Sequence, residues 1–253
     1  MKILIGNTGL IGTTLKEKIN FDFEFNSKNI TSFNEIVSDG CELYLSCLPA
    51  TKWLVNQMVS GDLDNINYIL DIIKQKSYSK IILISTIDVY CDSPLKSNEE
   101  YNPNISKLNY GNNRYLFELL VREKLKTDDL KIFRLPALFS DKIKKNVLYD
   151  LINNHNIENI NLNSKYQWYN LENLSYDMDN FTRDYPNESV FNLFTEPIFT
   201  SELLKLFPNI DSSSLKHGEP IIYDYTTKYG GYLSNKETIL SDIKKLINHV
   251  SDK

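Results

Sequence analysis

The chain has 253 residues, 42% of them hydrophobic and 24% charged, with a net charge of −5. That balance describes a globular protein of one domain, or a domain with a small appendage, and excludes a disordered chain or one built to wrap nucleic acid. Three cysteines (Cys41, Cys47 and Cys91) lack metal-ligand spacing, no targeting segment precedes the first apolar run, and no run reaches the roughly 18 apolar residues of a membrane span, so a cytoplasmic protein is expected.

Lys2–Ile5 reads as a short, fully buried strand. It runs into Gly6-Asn7-Thr8-Gly9-Leu10-Ile11-Gly12, and a helix follows from about Leu10. Strand, glycine turn and helix N-terminus make a phosphate cradle. Gly6 permits the tight turn, Gly9 lets backbone approach a pyrophosphate, and Gly12 lets helix and strand pack closely. The second strand, Phe21–Phe25, ends at Asn26-Ser27-Lys28-Asn29, where dinucleotide-binding sheets meet the adenosine ribose. The turn holds no acid for a 2′-hydroxyl. Ser27 and Lys28 suit a 2′-phosphate instead, which favours NADP with NAD as the alternative; the plainer reading is a solvated turn with a surface lysine.

Leu43–Cys47 is the third strand, and Leu48-Pro49-Ala50 leaves it at the sheet edge where open α/β sheets bind ligands. Helices are expected over Thr51–Met58 and Asp62–Lys76, the second capped by Asp62. Lys80–Ile84 is a buried strand that runs into Ser85-Thr86-Ile87-Asp88-Val89-Tyr90. A helix opens at Tyr110 and ends near Leu125, and Lys131–Arg134 is a strand ended by Pro136. Strands alternating with helices predict a doubly wound parallel sheet of Rossmann type, covering residues 1–138. Residues 139–253 read as a small substrate lobe packed on it. Its expected elements are Lys142–Asn154 (helix), Lys165–Leu171 (aromatic strand), Leu171–Arg183 (helix), Val190–Phe194 (strand), Thr200–Phe207 (helix capped by Thr200 or Ser201), Glu219–Tyr225 (extended) and Lys236–His249 (helix).

Thr86, Tyr110 and Arg114 carry the chemistry. Tyr110 and Arg114 lie one helical turn apart, and a fixed cation there lowers a phenol from its usual pKa near 10. Tyr110 then exchanges a proton with a carbonyl or alcohol oxygen, and Thr86 hydrogen-bonds the same oxygen. The plainer reading pairs Arg114 with Glu118 at i+4 and leaves Tyr110 as a packed aromatic at the helix start. Arg134 reaches either a phosphate or a structural ion pair; Asp88 is either catalytic or a polar surface residue. Trp53 reads as a core residue, with a place against the cofactor as the alternative, and Cys91 as a buried small hydrophobe, with a place in the pocket as the alternative; His217 reads as a loop residue, with an approach to substrate as the minor alternative.

Five stretches in this order carry a resemblance: Gly6–Gly12 (GNTGLIG), Ile84–Tyr90 (ISTIDVY), Tyr110–Arg114 (YGNNR), Phe133–Pro136 (FRLP) and Tyr166–Leu171 (YQWYNL). The chain resembles the extended short-chain dehydrogenase/reductase family, the NAD(P)-dependent epimerases and dehydratases. The resemblance implies a Rossmann-type domain with a C-terminal substrate lobe and a nucleotide-activated sugar as substrate. It also implies cofactor contacts from the glycine turn, the Asn26–Lys28 turn, Leu48–Ala50, Ser85, Tyr110, Arg114 and Pro136.

Two departures matter. The family motif is Tyr-x-x-x-Lys, and here Arg114 replaces the lysine; arginine keeps the charge but does not release its proton. The family's 4,6-dehydratases carry Thr-Asp-Glu, whereas Thr86 is followed by Ile87 and Asp88, so one acid/base carboxyl is missing and elimination of water is disfavoured. A keto-sugar reductase or epimerase of surface-polysaccharide synthesis is the leading expectation. A catalytically inactive dinucleotide-binding regulator is the alternative. No nucleic-acid or membrane partner is expected; the oligomeric state stays open, and the resemblance implies that a homodimer would pair through the helices at 62–76 and 110–125.

Overall fold

The computed structural model describes residues 1–211, 215 and 218–251. In chain order the first elements are β1 (Lys2–Ile5), α1 (Leu10–Lys18), β2 (Phe23–Phe25), α2 (Phe33–Ile36), β3 (Cys41–Leu45), α3 (Lys52–Gln57), α4 (Val59–Ile73), β4 (Tyr78–Thr86), α5 (Tyr110–Lys124) and β5 (Leu130–Leu135). Then come β6 (Ala137–Phe139), α6 (Val147–Asn153), β7 (Lys165–Tyr166), β8 (Trp168–Asn170), α7 (Leu174–Asp184), β9 (Val190–Asn192), β10 (Ile198–Phe199), α8 (Thr200–Leu204) and α9 (Lys236–Ser251). They form two compact units. The first comprises Met1–Pro94, Tyr101–Arg134 and Asn173–Asn192; the second comprises Leu95–Glu100, Leu135–Glu172 and the chain from Leu193.

The first unit is a six-stranded sheet in the order β2-β1-β3-β4-β5-β9. The β1/β2, β1/β3, β3/β4 and β5/β9 pairs are parallel. The strands are continuous apolar runs because helices cover both faces. Ile3, Leu43 and Ile81 on the strands meet Ile66, Leu70 and Ile73 of α4 and Phe117 and Val121 of α5 in one core. The sheet grows from β1 in both directions, to β2 on one side and β3 on the other. At such a reversal open α/β sheets take ligands, outside the carboxyl ends of the strands. The Rossmann-type expectation is met.

The second unit has two small sheets, β10/β7 antiparallel and β6/β8 parallel, with α9 packed on β8. Its organising residue is the fully buried Gln167, which divides the expected Lys165–Leu171 strand. The Gln167 amide donates to the Thr195 and Tyr225 carbonyls (2.6 and 2.8 Å), and its oxygen accepts from the Tyr225 amide at 2.9 Å. A buried amide whose donor and acceptor groups are bonded fixes the chain at this point.

Other boundaries also move. The third strand ends at Leu45, two residues early, so Ser46–Ala50 forms a loop; the fourth strand extends through Thr86. Helix α4 begins at Val59, which places Asp62 inside its first turn and not at its cap. Helix α8 is capped at Phe199, whose amide donates to Glu202, because the Thr200 hydroxyl donates to the Ser164 carbonyl. His217 lies outside the described residues. No helix is long and apolar enough to cross a membrane, and no acidic, cysteine and histidine group suited to a metal is found among the described residues.

Candidate functional site

The glycine turn is dictated by close approach. Gly6 has φ +100°, and a Cβ on it would lie 2.3 Å from the Ser46 carbonyl oxygen. A Cβ on Gly12 would lie 2.1 Å from the Gly6 oxygen. Both positions therefore exclude any side chain. Gly9 differs: its φ is −77°, and the nearest atom to a Cβ there is 3.7 Å away. The protein itself leaves Gly9 room for a side chain. The residue caps α1 without a side-chain hydrogen bond, and the first turn of α1 contains no acid. Thr8 and Gly9 are exposed, while Leu10 and Ile11 are half-buried. An exposed helix N-terminus behind a bare backbone turn fits a pyrophosphate.

The turn after β2 is ordered by asparagines. Asn26 Oδ1 accepts from the Lys28 amide at 2.9 Å, and Asn29 Oδ1 accepts from the Asn26 amide at 2.7 Å. The Asn26 side chain donates to Asn7 Oδ1 (3.1 Å), tying this turn to the glycine turn. Ser27 and Lys28 are exposed at its tip. Sequence reasoning overlooked Glu24, one residue before the end of β2. Its carboxylate accepts from Asn7 (2.9 Å) and pairs with Lys16 (2.6 Å). Partial burial works against its charge, but those bonds outweigh it and hold the carboxyl below the usual range.

Tyr110 opens α5 and is 8% exposed. Its amide donates to Asn56 Oδ1 of α3 at 2.8 Å, and Asn109 caps the helix through a bond from the Asn112 amide. Thr86 ends β4 and caps the 3-10 turn Ile87–Tyr90, its hydroxyl accepting from the Asp88 amide at 3.2 Å. Helix α5 packs on this turn. Gly111 permits it, because a Cβ there would lie 1.9 Å from the Asp88 carbonyl oxygen. Gly111 thus lets the helix that opens at Tyr110 pack on the turn that follows Thr86. An isolated glycine in the first turn of a helix was the available sequence signal.

Burial pushes the Tyr110 phenol above its usual pKa, and the Arg114 charge only partly opposes it. The expected lowering is corrected: in a desolvated site one nearby cation does not offset the loss of water around a phenolate. The Arg114 guanidinium lies 4.5 Å from the Tyr110 ring centre. It does not pair with Glu118. Its fork donates to both oxygens of Asp62 (2.8 and 3.0 Å) and to the Pro49 carbonyl (2.7 Å).

Glu118 belongs to a different buried network. Arg134 donates to it through Nε and Nη2, at 3.0 and 2.6 Å, and through Nη1 to the Tyr90 hydroxyl at 2.6 Å. The Ser85 hydroxyl donates to Glu118 at 2.5 Å. Arg134 is therefore in the structural ion pair. Asp88 is buried and accepts from Lys52 Nζ at 2.5 Å, which removes its reading as a surface residue. Two core expectations are also corrected. Trp53 is 65% exposed on the short helix α3, and Cys91 is exposed at the end of the 3-10 turn. Leu48 is half-buried, Pro49 and Ala50 are exposed, and Pro136 is a buried residue of the second unit.

No family model matches the chain, and no curated protein does. Solved structures match over its whole length. The UDP-glucose 4-epimerase of Thermotoga maritima, solved with UDP-glucose, is 13% identical, with 100% of this chain and 99% of that one covered and a TM-score of 0.68. A UDP-glucuronic acid 4-epimerase of Bacillus cereus, solved with NAD and a fluorinated UDP-glucuronic acid, is 14% identical, with coverage of 100% and 99% and a TM-score of 0.70. A dTDP-4-dehydrorhamnose reductase of Clostridium acetobutylicum is 14% identical, with coverage of 99% and 100% and a TM-score of 0.70. The chain has the fold that these proteins share.

Proposed function

We propose that the chain is an extended short-chain dehydrogenase/reductase that binds a nicotinamide dinucleotide and acts as a keto-sugar reductase or epimerase on a nucleotide-activated sugar. The observation that supports this reading is the packing of α5, which opens at Tyr110, on the turn that follows Thr86. A single glycine contact, Gly111 on Asp88, brings the two together at the sheet edge that also bears the glycine turn. The epimerases and the reductase of the same fold act on UDP- and dTDP-linked sugars by name, which supports the substrate class.

The Gly6–Gly12 turn and the N-terminus of α1 would hold the pyrophosphate, and Ser27 and Lys28 a 2′-phosphate, so NADP is the proposed cofactor and NAD the alternative. The dinucleotide, when bound, supplies or accepts a hydride. Tyr110 holds the proton that passes to or from the sugar oxygen, and its burial favours the neutral phenol, the proton-donating form a reductase needs. Thr86 steadies the same oxygen by a hydrogen bond. Asp88, held by Lys52 and preceded by Ile87, offers no second carboxyl for elimination of water. The pathway would be cytoplasmic synthesis of a surface polysaccharide or other glycan. A homodimer through the outer faces of α4 and α5, where Tyr68 and Leu119 are exposed, belongs to the same reading.

The test is oxidation of NADPH and NADH by the purified protein with a panel of UDP-, dTDP- and GDP-linked 4-keto sugars. Turnover that Tyr110→Phe abolishes is the expected result. A second reading, a non-catalytic dinucleotide-binding regulator, is favoured by the engagement of Arg114 with Asp62 and Pro49. Tight NADPH binding with no turnover across the panel would select it.

A further inference from the structure

The Arg114 side chain is 6% exposed and that of Asp62 2%, so the pair is buried. Asp62 accepts a third bond from the Asn113 side-chain Nδ2 at 2.8 Å. Two oxygens and a planar fork give a bidentate pair, the arrangement in which arginine and lysine are least interchangeable. The same guanidinium reaches the Pro49 carbonyl and lies under the Tyr110 ring. One cation therefore joins three pieces of chain: helix α4 through Asp62, the loop after β3 through Pro49, and the start of α5 through Tyr110. That loop is wedged against the glycine turn, since the Ser46 amide donates to the Ile5 carbonyl at 2.9 Å and its carbonyl fills the space beside Gly6.

We propose that Arg114 and Asp62 act as one positioning unit, holding the Leu48–Ala50 loop and the Tyr110 ring in the arrangement that receives the dinucleotide, and that Arg114 is not the group that grips the ligand. A lysine at this position has a single nitrogen and does not span both carboxylate oxygens and the Pro49 carbonyl together. The ligand class rests on the function proposed above; the clamp itself does not.

The test uses the full chain with Asp62→Asn, Arg114→Gln, the double variant combining them, and Arg114→Lys. Three quantities are read: NADPH and NAD affinity by calorimetry, amide exchange at Leu48 and Ala50, and the 13C resonance of Tyr110 in tyrosine-labelled protein, assigned with Tyr110→Phe. Each single variant is expected to weaken dinucleotide binding about tenfold, as for a coupled pair, and to speed exchange in the loop. The double variant carries no buried unpaired charge, so it folds where a single variant fails and binds no worse than either. Arg114→Lys behaves like Arg114→Gln in affinity and loop exchange, and Arg114→Gln moves the Tyr110 titration upward. Two results overturn the proposal: wild-type affinity in Arg114→Lys, or an unchanged loop and affinity in Asp62→Asn while Arg114→Gln loses binding. If the wild-type chain binds neither dinucleotide, the proposed function falls. Loop exchange and the Tyr110 resonance then decide the clamp alone, supporting it if both respond to Asp62→Asn and refuting it if neither does.

Discussion

The carbonyl oxygen of Asp88 occupies the space in which Gly111 would carry a side chain, 1.9 Å from an ideal Cβ. The contact is backbone against backbone, so no side-chain rotation relieves a substitution. Gly111→Ala forces α5 away from the Ile87–Tyr90 turn and separates Tyr110 from Thr86. A loss of about 1–3 kcal/mol in urea unfolding is expected from overpacking. Loss of keto-sugar turnover beyond what the unfolded fraction explains is expected with it.

Gly9 and Gly12 are expected to respond in opposite ways. Gly12→Ala meets the Gly6 carbonyl at 2.1 Å and destabilises the fold. Gly9→Ala meets nothing nearer than 3.7 Å at an ordinary φ, so thermal unfolding stays near wild type. Its methyl group enters the space proposed for the pyrophosphate. NADPH binding by calorimetry should therefore fall strongly in Gly9→Ala without loss of stability. A Gly9→Ala protein that binds as wild type would remove the phosphate cradle from the reading.

Lys28 is exposed at the tip of the turn proposed to meet the 2′-phosphate. Lys28→Ala should weaken NADPH binding several-fold, as loss of a charge-assisted contact does, and leave NADH binding unchanged. Equal effects on both cofactors would argue for a plain surface lysine.

The buried Glu118–Arg134 pair is structural and has a size that can be tested. Glu118→Ala leaves a guanidinium, 4% exposed, without its carboxylate. Burial alone would lower the Arg134 pKa; the Glu118 charge and bonds more than restore it. Breaking such a pair from one side costs about 3–5 kcal/mol. Urea unfolding of Glu118→Ala checks this, and a change under about 1 kcal/mol would show that the network relaxes.

Acid should weaken the second unit through Asp224. Burial opposes its charge, but bonds from Lys96 (2.7 Å), Tyr232 (2.6 Å) and Lys165 (2.9 Å) prevail and depress its pKa. A depressed carboxyl contributes stability above its unfolded pKa of about 3.9 and loses it as pH falls through the folded value. Asp224→Asn should therefore be less stable than wild type at neutral pH, with the gap closing below about pH 4. A gap that persists unchanged to low pH would assign the effect to packing.

Local patterns determined much of this protein. The apolar run before Gly6, the three spaced glycines and the alternation of strands and helices each depend on neighbours a few residues away. They were legible as a doubly wound sheet with a helix N-terminus at its edge. Tyr110 at a helix start and Thr86 at a strand end follow from the same short-range signals. Glu24 lies inside β2 and so outside the turn where an acid for the ribose is expected. The partners of the charged groups were decided by tertiary structure. Arg114 had Glu118 one turn away and took Asp62, 52 residues back, because α5 packs against α4 on that face. Glu118 went to Arg134 on β5. Helical spacing states which residues face the same side, not which neighbouring element covers that side. A buried charge pairs with whatever the packing presents to it, and only the assembled core specified that Arg114 would be held by Asp62 and the Pro49 carbonyl.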